Sequence, residues 1–235
     1  MNNNAHKESF LKGALILGMA GIIVKIMGAF FRIPLGNIIG STGLGYYQAV
    51  YPVYTLFLTL ATAGFPTALA KLVSEQRAVG DFGGANKTFR ISYTVLFITG
   101  LISFSFFFFG ADFISTVLLK NSGAYAALIA ISPALLFVPL MSSYRGYFQG
   151  RREMSKIAIS QIIEQFFRVV LGLFLAYMLM KNFGEQMGAA GGVLGAAIGG
   201  FASAVFLIYI YLRSSKSRKA EIAQSKHIKV EDRKS

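Results

Sequence analysis

Cysteine and tryptophan are absent from the 235 residues, histidine occurs twice, and only ten acids stand against twenty-three lysines and arginines. Without cysteine there is no disulfide framework, thiol nucleophile or thiolate metal site. His6 and His227 lie in the two polar ends, which argues against a histidine-ligated metal and against a Ser-His-Asp triad. Charged residues of both signs make up only 14% of the chain, against roughly 25% in soluble domains, and hydrophobic residues reach 54%. Mean hydropathy is +0.57. A soluble enzyme does not fit these values.

The apolar residues fall in runs too long for a globular core. A bilayer core about 30 Å thick is crossed by about 20 mostly apolar helical residues. Six stretches meet that standard: 13–33, 46–70, 91–109, 124–141, 157–180 and 187–212. Backbone groups in lipid must be bonded within their own segment, so continuous apolar runs are read as helices. Barrel strands would alternate instead. The first run carries Lys25 and lacks a small-x-small cleavage site, unlike a secretory signal. The expected fold class is therefore all-α integral membrane, a six-transmembrane-helix bundle.

Cation placement orients the bundle. With the N-terminus inside, eighteen of the twenty-three lysines and arginines fall on the inner side, Arg145, Arg151 and Arg152 among them. Outer loops hold Lys120 and Lys181, and the spans hold Lys25, Arg32 and Arg168. Positive charge marks the cytoplasmic side, so N-in, C-in is expected. The net charge of +13 thus belongs to membrane flanks, not to nucleic acid. Residues 1–12 read as a cytoplasmic N-terminus and 213–235 as a basic cytoplasmic tail, disordered and able to touch anionic lipid.

Within the spans, two constellations stand out. Lys25 lies near the middle of the first, and Arg32 follows two turns later on the same face. A charge at that depth needs an interior environment. The pair either lines a water-filled cavity for an anion, or Arg32 snorkels while Lys25 pairs with a carboxylate. In the fifth span, Ser160, Gln161, Glu164, Gln165 and Arg168 share one helix face. Glu164 is the one acid inside the six spans, a natural partner for Arg168 or Lys25. That stripe is either a structural ion pair or a contact for substrate or a coupling ion. Pro52, Pro66, Pro133 and Pro139 interrupt the second and fourth spans. The sixth repeats small residues every four positions, with Gly188, Gly192, Gly195 and Gly199 assigned to helix packing.

Several of these residues sit in recognisable motifs. Lys25-Ile-Met-Gly-Ala-Phe-Phe-Arg32-Ile-Pro-Leu, Gly43-Leu-Gly-Tyr-Tyr-Gln48-Ala-Val-Tyr-Pro52 and Gly64-Phe-Pro66-Thr-Ala-Leu-Ala-Lys71 resemble the start of polysaccharide-biosynthesis membrane proteins. Tyr144-Arg-Gly-Tyr-Phe-Gln-Gly150-Arg-Arg-Glu and Ser160-Gln-Ile-Ile-Glu164-Gln-Phe-Phe-Arg168 are the most distinctive. Together, over roughly Phe10 to Leu212, they resemble the stage V sporulation protein B and lipid II flippase branch of the multidrug/oligosaccharidyl-lipid/polysaccharide exporter superfamily.

The resemblance implies a flippase of the bacterial cytoplasmic membrane. It would move undecaprenyl-diphosphate-linked sugars by alternating access, in peptidoglycan, polysaccharide or sporulation pathways. By position, Lys25 and Arg32 would be the cavity cations that meet the diphosphate, with Gln161, Glu164, Gln165 and Arg168 as a polar stripe. Members have two six-helix lobes, so this chain corresponds to the N-terminal lobe. It would need the missing C-terminal lobe, or a second copy as a homodimer, to complete the cavity. The step is transport, not enzyme chemistry. No Walker motif is present, so no cofactor is expected, and a coupling ion or the membrane potential would supply the drive. Two alternatives stay open: a drug exporter of the same superfamily, and a non-transporting scaffold packing through the glycine-rich sixth helix.

Overall fold

A computed structural model describes residues 2–231, with side chains described for 12–223; His6 and His227 lie outside the latter. Every regular element among the described residues is helical. The chain runs through α1 (Asn2–Thr62), α2 (Phe65–Ala78), α3 (Phe82–Phe109), the short α4 (Ala111–Phe113), α5 (Tyr125–Ile131) and α6 (Ala134–Gly150). α7 (Met154–Phe183), α8 (Glu185–Arg213) and α9 (Ser215–Glu231) complete it. Five stretches are long and apolar enough to cross a membrane: Lys12–Ala78, Phe82–Phe109, Ser122–Gly150, Met154–Phe183 and Glu185–Arg213.

The first of these holds two of the expected spans. A straight helix of its 67 residues would be about 100 Å long, some three bilayer cores. It is not straight. Gly40, at φ 69° and ψ −176°, breaks α1 into two arms, a conformation that essentially only glycine adopts. The rings of Phe31 and Tyr47 lie 6.3 Å apart, whereas a continuous helix would separate them by about 24 Å. The chain therefore doubles back at Gly40, and the second arm returns beside the first. A second glycine in left-handed conformation, Gly64 at φ 74°, ends the return and starts α2 with Pro66 in its first turn.

The remaining helices pack around this hairpin. The first arm runs alongside α7 in the same direction, since Gly13 faces Met154, Gly28 faces Gln165 and Phe31 faces Gly172. α8 runs back against α7 through its glycines. A Cβ built on Gly191 would stand 2.6 Å from the Leu175 carbonyl, and one on Gly195 2.5 Å from that of Arg168. Gly188 and Gly192 abut Ile39 and Leu35 of the first arm. α6 lays Gly146 and Gly150 against the backbone of α2 at Pro66 and Ala70. Such close approach is what small residues allow where no hydrophobic effect separates helix from lipid.

Two apolar clusters result. One gathers Leu35, Ile39, Val50, Phe107, Leu128 and Val193 toward the Gly40 end. The other gathers Leu69, Val73, Phe89, Tyr147 and Leu207 toward the opposite end. Outward, Phe30, Ile33, Phe109 and Phe174 remain exposed, Phe109 by 80%, a surface suited to acyl chains.

Three expectations change. Beyond Leu212, where disorder was expected, α9 is helical. Its first turns are held by charge: Arg218 is buried, lies over the Tyr211 ring and donates to the Tyr211 carbonyl and to Ser214 Oγ. The third helix begins at Phe82, capped by Asp81 Oδ1 accepting from the Gly84 amide at 3.1 Å. The helix expected to stop at Met141 continues to Gly150, with its break at Pro133.

Candidate functional site

Between the two arms of α1 a cleft of about 660 Å³ opens, lined by Arg32, Tyr47, Gln48, Tyr51, Pro52, Thr55, Leu56 and Thr59. Polar groups recur on this face of the returning arm at helical spacing, and the turn at Gly40 brings them opposite Arg32. Tyr47 stacks on Tyr51 at 5.7 Å and Tyr51 meets Tyr54 at 5.9 Å. Thr55 and Thr59 spend their hydroxyl protons on the carbonyls four residues back, both at 2.8 Å. The cationic side chain facing these groups is Arg32, which makes no hydrogen bond or ion pair among the described residues. Lys25 lies further along the first arm, exposed and outside the cleft lining. The structure therefore does not bring the two cations into one cleft, and Lys25 does not pair with Glu164.

Glu164 is claimed from two other sides. Arg168 donates from Nη2 to Glu164 Oε1 at 2.8 Å, and Arg145 of α6 donates from Nη2 to Oε2 at 2.9 Å. Arg145 also donates from Nε to Ser160 Oγ at 2.9 Å and from Nη2 to Ser203 Oγ of α8 at 3.2 Å. One guanidinium thus ties three helices together. Only 17% of its side chain is exposed, and 14% of that of Glu164. Along α7 and α8 the cluster sits between the two apolar cores. Gln165 is buried against Gly28, while Gln161 Oε1 and Arg168 Nε are buried without a partner among the described residues.

Arg145 is the residue whose role sequence reasoning misses. Cation counting sets it with Arg151 and Arg152 on the inner side, outside the spans. Because α6 runs on to Gly150, Arg145 lies within the helix, pointing inward. A signal was present: Glu164 lies one helical turn from Arg168 on a face that cannot meet lipid, leaving its second oxygen in need of a donor from another helix.

At the opposite end from Gly40, charges form a second network. Glu221 of α9 accepts from Arg77 at the end of α2 at 3.0 Å and from Arg151 at 3.0 and 3.2 Å. Arg151 also donates to Glu153 at 3.0 Å. Burial would raise the Glu221 carboxyl, but the hydrogen bonds from Arg151 and Arg77 outweigh it and hold the group below its usual value. Burial would likewise lower Arg151, and the bonds to Glu221 and Glu153 reverse the direction.

Among the described residues no group of three or more histidines, aspartates and glutamates is placed to hold a metal ion. The expected packing glycines, Gly188, Gly192, Gly195 and Gly199, are all buried at the α8 contacts with α7, the first arm and their neighbours.

A family described as "Polysaccharide biosynthesis protein" matches residues 10–229. The chain is 34% identical to the lipid II flippase MurJ of Bacillus subtilis (strain 168) over 219 residues, 89% of this chain and 40% of that protein. It is 35% identical to the stage V sporulation protein B of the same organism over 218 residues, 91% of this chain and 41% of that protein. A more distant relative there, the sporulation protein YkvU, shares 23% over 93% of this chain and 46% of its own length. The chain thus spans less than half the length of these relatives. No solved structure matches it.

Proposed function

The chain belongs to the polysaccharide biosynthesis protein family, and on that premise we propose that it is the N-terminal lobe of a flippase for polyprenyl-diphosphate-linked glycans in the bacterial cytoplasmic membrane. The lobe spans the membrane six times, N-in and C-in, counting the two arms of α1 separately. Lys120 and Lys181 then mark the outer end with the Gly40 turn, while Lys12, Arg77, Lys87, Arg151, Arg152 and Arg213 mark the inner end.

The observation that carries this reading is Arg32, a cation without a hydrogen-bond or ion-pair partner among the described residues, facing a cleft lined by Tyr47, Gln48 and Tyr51. An anionic head group meets the guanidinium there while its prenyl tail stays in lipid. Arg32 offers the planar fork that matches phosphate oxygens. A second lobe, from another segment or from a second copy related by an axis along the membrane normal, closes the other side of the cleft. Alternating access needs no covalent step, and the membrane potential acts on the charged cargo. Partnerless cations argue against a drug exporter of cationic cargo. The scaffold alternative would use the α8 glycines outward, but their faces are filled by α7 and the first arm.

The test is rescue of bacteria depleted of their own lipid II flippase. The chain is expressed alone and with a separately encoded second lobe, as wild type and as Arg32→Ala or Lys25→Ala. Rescue that requires the second lobe and is lost in Arg32→Ala supports the proposal. Rescue by the chain alone makes the homodimer the working form. Failure throughout, with the protein found in the membrane, refutes lipid II as cargo.

A further inference from the structure

The glycine-mediated seating of α8 on α7 stops partway along the two helices. Gly199 still abuts the Glu164 carbonyl, but from Phe201 to Arg213 no glycine follows. There a groove of about 670 Å³ opens between α7 and α8. The α8 residues divide by register. Ile198, Ala202 and Phe206, four apart, are half-buried and form the floor. Phe201, Val205 and Tyr209, also four apart, stand exposed as one wall. Ile163 and Phe167 of α7 are the other wall. Phe137 of α6 meets Phe201 edge-on, with ring centroids 5.2 Å apart, and props that wall. Apart from the Tyr209 hydroxyl, the lining side chains carry no polar atom.

The groove has the length of one leaflet. From Ile198 to Tyr209 the helix rises about 16 Å, and half of a bilayer core is about 15 Å. Its mouth, at the end opposite Gly40, is charged. Arg213 continues the wall of Phe201, Val205 and Tyr209 by one more turn. It is exposed and makes no hydrogen bond or ion pair among the described residues. On the α7 side, Lys156 stands two turns before Ile163, but it is bound to Glu153 at 2.5 Å. Glu153 is shared with Arg151 as well, so this acid is already neutralised and Arg213 is left uncompensated. A slot one leaflet deep with a cation at its mouth is complementary to an amphiphile with an anionic head. A protein helix would run on past the level of Ile198 and Phe167, where the groove ends.

We propose that α7 and α8 hold an anionic phospholipid from the leaflet at the end opposite Gly40. One acyl chain lies in the groove, and the phosphate accepts from the Arg213 guanidinium and the Tyr209 hydroxyl. This site shares no lining residue with the Arg32 cleft and does not depend on it.

The chain contains no tryptophan, so Phe167→Trp places a single fluorescent reporter at the deep end of the groove. The purified chain is reconstituted in phosphatidylcholine bilayers containing phosphatidylglycerol, with bromine near the chain ends of one lipid or the other as a contact quencher. Brominated phosphatidylglycerol is expected to compete for the reporter about fivefold better than brominated phosphatidylcholine, the worth of one cation beside anionic lipid. Arg213→Gln should bring that ratio to about one. Ala202→Leu, which fills the floor, should reduce quenching by both lipids. A second reporter, Phe97→Trp, sits on α3 at an exposed position outside the groove, and its ratio should not respond to Arg213→Gln. Monodisperse elution shows that each variant is folded, and if Ala202→Leu does not elute so, Arg213→Gln decides. Equal quenching by the two lipids, or a preference that survives Arg213→Gln, overturns the proposal. A reporter that neither lipid quenches also overturns it, and elution as a dimer then names a second copy as the occupant.

Discussion

Arg145 illustrates how a single side chain can matter structurally without meeting a ligand. Its guanidinium satisfies Ser160, Glu164 and Ser203 on two other helices. Removing it takes the α6 partner from a Glu164 oxygen and from Ser203 Oγ, while Ser160 Oγ keeps its bond to the Ile157 carbonyl at 2.7 Å. Breaking a buried pair in this way costs about 3–5 kcal/mol. Arg145→Ala should therefore lower the thermal midpoint of the solubilised protein by several degrees, read by size-exclusion after heating. Arg145→Lys should not restore it, because one ammonium cannot reach acceptors on both Nε and Nη2 sides. A midpoint unchanged in Arg145→Ala would show that the three-helix tie contributes nothing. Much of this cluster was legible in the sequence: the shared face of Ser160, Gln161, Glu164, Gln165 and Arg168 follows from helix periodicity alone. The partner from α6 was not, since periodicity orders residues along one helix and is silent about which helix lies opposite.

At the scale of elements, glycine positions separate into backbone and packing roles that lead to opposite predictions. Gly40 turns the chain with φ 69°, so Gly40→Ala should destabilise by about 1–3 kcal/mol. Gly45 lies five residues on, in helix, with no atom within 4 Å of an added Cβ. Gly45→Ala should be neutral or stabilise by up to about 1 kcal/mol through helix propensity. Gly195 differs from both: a Cβ there meets the Arg168 carbonyl at 2.5 Å, so Gly195→Val should push α7 and α8 apart and lower the yield of monodisperse protein. Equal behaviour of Gly40→Ala and Gly45→Ala in a thermal-shift series would contradict the turn. The reversal itself was implicit in two apolar runs separated by a glycine-rich link at Gly36, Gly40, Gly43 and Gly45. Which of the four turns the chain was not, because all four tolerate the required dihedral angles and only packing selects one. The α8 stripe was legible as a packing face, but its division between α7 and the first arm needed the three-dimensional arrangement.

For the whole molecule, the charge network at the end opposite Gly40 decides how the bundle ends. The excess of cations at that end reads as a membrane-orientation signal, which hid the fact that some of them hold structure. Glu221 joins Arg77 and Arg151, so one carboxylate connects α9 to the end of α2 and to the α6–α7 turn. Because its folded value is depressed by those arginines, the stabilisation it gives is present above the ordinary carboxylate range. It is lost as pH falls through the lower, folded value. The basic composition of 213–235 suited disorder on its own, and the docking depends on partners far away in sequence. Hydrogen exchange of α9 amides, corrected for intrinsic rates, should thus show protection at neutral pH that weakens on acidification below the carboxylate range. Glu221→Gln should lack the protection at every pH, and high salt should reduce it only in part, since Arg151 is largely shielded from solvent. Full protection of α9 in Glu221→Gln would mean that the Arg218 contacts alone hold the helix. Loss confined to α9 in that variant, with the spans unchanged, would establish the network as a local latch.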